Sequence, residues 1–123
     1  MNHYDPEHAP NAEEWLSLDE QIRIELAEEY HRRARIKLPN LKAHAAFHAI
    51  VENQIAENLE PVVRAMSRLT QEGLARHDAV HAIASVVAAH IHDLFNAKVD
   101  KQNSQVAYNA AIEKLGARSW KGG

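Results

Sequence analysis

Two pairs of histidines stand four residues apart in this sequence, His44/His48 and His77/His81, and Glu52 follows the first pair after one more helical turn. On an α-helix, side chains at i and i+4 leave the same face with Cβ atoms about 6 Å apart, so both imidazoles can reach one metal ion. If the two segments pack face to face, four imidazoles and a carboxylate converge. Inward His and Glu ligands of this kind hold zinc, or a dinuclear iron or manganese centre, inside helical bundles. The candidate metal ligands are therefore His44, His48, Glu52, His77 and His81, with a divalent metal ion as the implied cofactor. Glu52 is the one acid that periodicity places beside the histidines, a thin supply for a dinuclear site.

The same residues have a plainer use. Histidines in a tight seam can hydrogen-bond to Glu52 or to backbone carbonyls, and leaving one unpaired costs about 1 to 3 kcal/mol. On that reading the chain is a non-catalytic binding or assembly module with a buried His/Glu network, and this is the leading expectation. The rival is a metal-binding protein, with a metal-dependent hydrolase as its catalytic version. His77-Asp78-x-x-His81 resembles the zinc-protease pattern H-E-x-x-H, but aspartate is one methylene shorter than the glutamate base, and an acid in a first helical turn is explained by the helix dipole. A third expectation is an assembly that responds to mild acid, because nine histidines titrate near pH 6.5 when unperturbed. No glycine-rich phosphate loop, G-x-S-x-G elbow or cysteine nucleophile occurs in the sequence, and no catalytic residue is assigned.

These side chains must be positioned by helices, since no stretch of useful length alternates with period two. The hydrophobic segment from His77 to Phe95 reads as the central element: Asp78 and Asp93 enclose 14 residues with no Asp, Glu, Lys or Arg. A helix over about 76–96 with apolar character on more than one side belongs in the middle of a bundle, and its second side suits a homodimer interface. Asn11 and Ser17, each followed three residues later by glutamate, mark helix starts near residue 12 or near 18, with a break between them. Ile22, Leu26 and Tyr30 form one stripe, and the run HRRARIK over 31–37 reads as a basic helix end. Pro39 and Asn40 stop that helix and cap the next, which runs from Leu41 to about Asn58. Its seam holds Leu41, His44, Ala45, His48, Val51, Glu52, Ile55 and Leu59, with Lys42, Asn53 and Glu57 opposite.

Pro61 opens a further helix with Val62, Val63, Met66 and Leu69 inward, Arg64, Arg68 and Glu72 outward, and Gly73 as its stop. A polar connector over 99–104 leads to a last helix with Tyr108, Ala111, Ile112 and Leu115 on one stripe. The expectation is an all-α, five- or six-helix bundle in a single domain over 1–123. Residues 1–10 form an irregular N-terminal arm, and 117–123 a polar tail whose Trp120 docks back or meets another subunit. His90 and His92 point to different sides and read as lone surface or interface histidines.

Composition sets outer bounds. At 123 residues, 46% hydrophobic and 25% charged, the chain is ordinary for one soluble domain with a modest core. Absence of cysteine excludes disulfides and thiolate metal sites. A net charge of −3 gives no uniform positive field for nucleic acid. Neither a signal-like N-terminus nor an apolar run of about 20 residues is present, so a cytoplasmic location away from membranes is expected.

Taken together, Trp15-Leu16, Asp19-Glu20, Tyr30-His31-Arg32, His44-x3-His48-x3-Glu52-Asn53-Gln54, Gly73-Leu74-x-Arg76-His77 and His81-Ala82-Ile83 resemble a family of short bacterial proteins classed as a domain of unknown function. The likeness covers roughly residues 15 to 95. That family commonly has glutamate where this chain has Asp78 and a better capping residue where it has Ala75. The resemblance implies a small helical bacterial protein and supplies no activity.

Overall fold

This computed structural model describes residues 1–96 and 103–120, in which six helices and one short helical turn make up the regular structure. They are α1 (Ala12–Ser17), α2 (Glu20–Arg33), α3 (Leu41–Ala56), α4 (Glu60–Gln71), α5 (Arg76–Phe95), α6 (Ser104–Lys114) and the turn α7 (Ala117–Trp120). The helical bundle expected from the sequence is therefore found. No strand occurs among the described residues.

Local chemistry sets the boundaries. Asn11 Oδ1 accepts the Glu14 N–H at 3.0 Å and Asn40 Oδ1 accepts the Ala43 N–H at 3.1 Å, which satisfies amides that a helix N-terminus leaves open. Both expected starts near residues 12 and 18 are used, with Leu18 and Asp19 extended between α1 and α2. Ser17 does not cap α2; its hydroxyl donates back to the Glu14 carbonyl at 2.6 Å. Pro61 sits in the first turn of α4, and Gly73, at φ +103°, ends that helix in the left-handed region that favours glycine.

Two helices occupy the middle. The α5 helix packs on α3, α4, α6 and α7, while α3 packs on α1, α2, α4 and α5. One core is aliphatic: Val51, Val62, Leu69, Val80, Ile83 and Ile112 are fully buried where α4, α5 and α6 meet the far side of α3. The other is ring-rich, formed by Tyr4, Trp15, Ala27, Ala45 and Ala49 between the N-terminal arm, α1, α2 and α3. The arm is irregular, as its two prolines suggest, yet Tyr4 and Pro6 are fully buried.

Three expectations change. On α2, Ile22 is 41% exposed, whereas Ala27 and His31 are the buried residues. The close approach of α2 to α3 selects the small Ala27, opposite Ala45 and Ala49, over the larger stripe. Asn53, expected on the wet side of α3, is half-buried and accepts from Trp15 Nε1 at 2.9 Å and Arg23 Nη1 at 3.0 Å. A helix with four neighbours has little wet side. On α4, Arg64 and Glu72 are exposed as expected, Glu72 accepting the Ala117 N–H at 2.8 Å, but Arg68 is half-buried and donates to the carbonyls of Ile112 and Leu115 at the end of α6.

Within the expected polar tail, Ala117 is buried and Trp120 packs against the aliphatic core; most of the expected 99–104 connector, and residues 121–123, lie outside the described residues. His92 is exposed and bonded to Asn96, and the His90 ring lies 5.2 Å from that of Tyr108. Among the described residues no helix is long and apolar enough to cross a membrane.

Candidate metal centre

Where α2, α3 and α5 come together, each contributes imidazoles to one small volume. His44 and His48 project from α3, one turn apart; His77 and His81 do the same from α5; His31 enters from α2, four residues after Ala27. Ligand nitrogens of His31, His44, His48 and His81 all lie within 4.8 Å of one another. Ring centroids are 4.7 Å apart for His31 and His44, 4.8 Å for His31 and His48, and 4.7 Å for His44 and His81. His31 and His48 are fully buried, while His44 and His81 are half-buried.

The outer partners fix which nitrogen of each buried ring carries its proton. Arg76, in the first turn of α5, forms a two-pronged ion pair with Glu52, its Nη2 2.7 Å from Oε1 and its Nη1 2.8 Å from Oε2. The Tyr4 hydroxyl donates to Glu52 Oε2 at 2.5 Å. Burial, and then the adjacent Glu52 charge, hold the Tyr4 pKa well above its ordinary value, so the phenol stays protonated. Its single proton is committed to Glu52, so its lone pair accepts from His48 Nδ1–H at 3.1 Å. His48 Nε2 therefore presents a lone pair to the cluster. On the other side, His31 Nδ1–H donates to the Ala27 carbonyl at 2.6 Å, and its Nε2 is buried without any partner.

The inner nitrogens do not satisfy one another. His81 Nε2 lies 3.1 Å from His44 Nε2 and 3.0 Å from His48 Nε2. A neutral imidazole carries one proton, so His81 can direct a hydrogen bond at one of these neighbours, and His31 Nε2 receives none. The surroundings enforce the neutral state of His44, His48, His77 and His81. Burial first, and neighbouring imidazoles second, lower His44 and His81 to about 4, lower His48 further, and lower His77 as well. Neutral, inward-facing nitrogens are what a metal ion requires, and a tetrahedral ion with bonds of 2.0–2.1 Å separates its ligand nitrogens by about 3.3 Å.

Of the five residues singled out from the sequence, three (His44, His48 and His81) belong to the four-nitrogen set. His77 borders it, its ring centroid 4.2 Å from that of His81, with a buried Nε2 that has no partner. Glu52 is buried beside the cluster but faces Arg76 and Tyr4. His31 was absent from the expected set; its spacing from Ala27, on the buried line of α2, was the signal that the basic run concealed. Tyr4 and Arg76 were likewise not singled out, because nothing in the local sequence joins residues separated by 48 and 24 positions from Glu52. Asp78 is exposed in the first turn of α5. The α5 helix lacks a side-chain cap at Ala75, and Glu7 of the arm supplies an acceptor instead, 3.1 Å from the His77 amide.

No known protein family, curated protein or solved structure matches this chain.

Proposed function

We propose that this chain is a metal-binding helical protein that holds one divalent first-row ion with His31, His44, His48 and His81. Zinc suits this set best, because four neutral nitrogens in a compact arrangement match its tetrahedral preference; copper, nickel and iron also accept imidazole. The observation that carries the reading is the meeting of His81 Nε2 with two other Nε2 atoms at 3.0 and 3.1 Å, beside a His31 Nε2 that is buried with no partner. Their outward nitrogens also support it: the His31–Ala27 and His48–Tyr4–Glu52 bonds orient the rings as outer partners of metal-bound histidines do.

The self-satisfied network accounts for Tyr4, Glu52 and Arg76 but leaves His31 Nε2, which the metal reading uses as a ligand, buried and unpaired. An assembly role, a homodimer included, is compatible with metal binding. Hydrolase chemistry gains nothing from Asp78, which is exposed.

Titration of metal-stripped protein with zinc, followed by elemental analysis after gel filtration, tests the proposal. One equivalent is expected, with affinity falling at least a hundredfold in both His48→Ala and His31→Ala. Retention of a full equivalent by the double variant, or no binding at millimolar zinc, would overturn it. His31→Ala also separates this ligand set from the one expected from the sequence, which lacks His31.

A further inference from the structure

The two half-buried histidines of the cluster open onto a cleft between α3 and α5. It has a volume of about 210 Å³ and is lined by His44, Phe47, His81, Ala84, Ser85 and Ala88. Its floor is imidazole and its walls are apolar. The Ser85 hydroxyl donates its proton to the Ala82 carbonyl at 2.6 Å, and no cationic side chain lines the space. For comparison, a cavity of about 150 Å³ in an engineered protein core is enough to take up benzene.

Charge supplies the second half of the inference, which rests on the metal-binding reading above. Four neutral imidazoles leave a divalent ion with its full double positive charge. The buried carboxylate beside the cluster is already neutralised by Arg76, at 2.7 and 2.8 Å, and so cannot compensate it. Asp78, the carboxylate that acts on His81, is exposed and screened by water, so a half-buried double charge here still attracts an anion, because the local dielectric is low and water is partly excluded. The anion that suits this opening has one charged end and an apolar remainder. A phosphate would find no cationic partner along the walls for its further charged oxygens.

We infer that the cleft is a binding site for small carboxylates with an apolar body, the carboxylate directed at the metal between His44 and His81 and the body lying against Phe47, Ala84 and Ala88. Binding raises the ion from four ligands to five, an expansion that zinc sites can make, and transfers no atoms. Access from this side also accounts for the difference between the cluster's exposed and buried members: His31 and His48 close the inner wall, and His44 and His81 form the entrance.

Cobalt(II) in place of zinc gives a visible spectrum that reports the ion's ligands. Benzoate titrated into the cobalt-loaded protein is expected to shift that spectrum to saturation, butyrate to do so more weakly, and inorganic phosphate to have at least tenfold lower affinity. Ala88→Leu, which fills the cleft, should weaken benzoate at least tenfold with cobalt stoichiometry unchanged; Ala88→Val should give an intermediate loss if leucine perturbs folding. A cobalt-loaded protein whose spectrum ignores benzoate overturns the carboxylate site and leaves metal binding intact, as does a benzoate shift untouched by both variants. Cobalt that fails to load, or loads equally in His31→Ala/His48→Ala, overturns the metal reading itself.

Discussion

The two cores of this bundle are built on opposite terms. Around α4, α5 and α6, buried positions are aliphatic apart from Tyr108, and the charged residues of α4 remain at the rim, where Arg68 and Glu72 fasten the ends of α6 and α7. Around the arm, α2 and α3, the buried residues include His31, His48 and Glu52, and rings meet edge to face across Tyr4, Tyr30 and the histidines. Burial of apolar area stabilises the first at about 25 cal/mol per Å² without requiring any particular partner. In the second, each polar atom must be matched individually, so stability and site geometry are the same property. One half can therefore be altered by degrees, and the other fails at single atoms.

The sharpest break in that contrast should come from Arg76→Ala. It leaves the Glu52 carboxylate buried without its cation, at an expected cost of about 3 to 5 kcal/mol, measured by urea unfolding of the metal-free protein. In the aliphatic half, Ile83→Ala should cost about 2 to 5 kcal/mol through a cavity. The discriminating feature is its response to zinc, since the Ile83→Ala loss should be the same with and without the ion. Tyr4→Phe behaves differently. Removing the hydroxyl frees the His48 ring to rotate or change tautomer, and loss of such an outer partner lowers metal affinity about 10- to 100-fold. Its stability loss should therefore be larger in saturating zinc than in its absence, which isothermal titration and unfolding curves can compare directly. Equal losses would mean that Tyr4 does no more than pack.

Acid should separate the halves by a smaller and more gradual effect. His44 and His81 are lowered to about 4 in the folded protein, mainly by burial, against about 6.5 when unfolded. Between these values the unfolded chain binds more protons, so stability of the metal-free protein is full above about pH 6.5 and declines as pH falls toward 4. A melting temperature that is flat across that window would contradict the burial of these rings. Replacing both with glutamine should make the profile shallower, leaving the slope due to His48 and His77, while Ile83→Ala should shift it down without changing its shape.

Much of the scaffold could be read from local signals. Asn11, Asn40, Pro61 and Gly73 punctuate the helices because a cap, a fixed φ or a left-handed φ is decided by one residue and its immediate neighbours. The i, i+4 spacing of His44/His48 and His77/His81 also placed each pair on one face. Periodicity states which residues share a face but is silent on what that face meets. Hence periodicity alone does not reveal that Arg76 lies opposite Glu52, or that Trp15 and Arg23 cover Asn53. His31 was disguised by composition, since a histidine followed by Arg32 and Arg33 looks like a charged helix end.

The N-terminal arm has a consequence for how the molecule assembles. Its anchors reach from Tyr4 to His48 and Glu52, from Pro6 to Arg76 and from Glu7 to His77, spanning 44 to 70 residues. The arm is made before α3 and α5, yet these anchors form only once both helices are in place, and closing so long a loop costs entropy before any contact repays it. The His48 ring acquires its fixed proton arrangement only at that docking, so under the proposed metal reading an ion arriving earlier would meet a looser nest of imidazoles than the one in the finished fold.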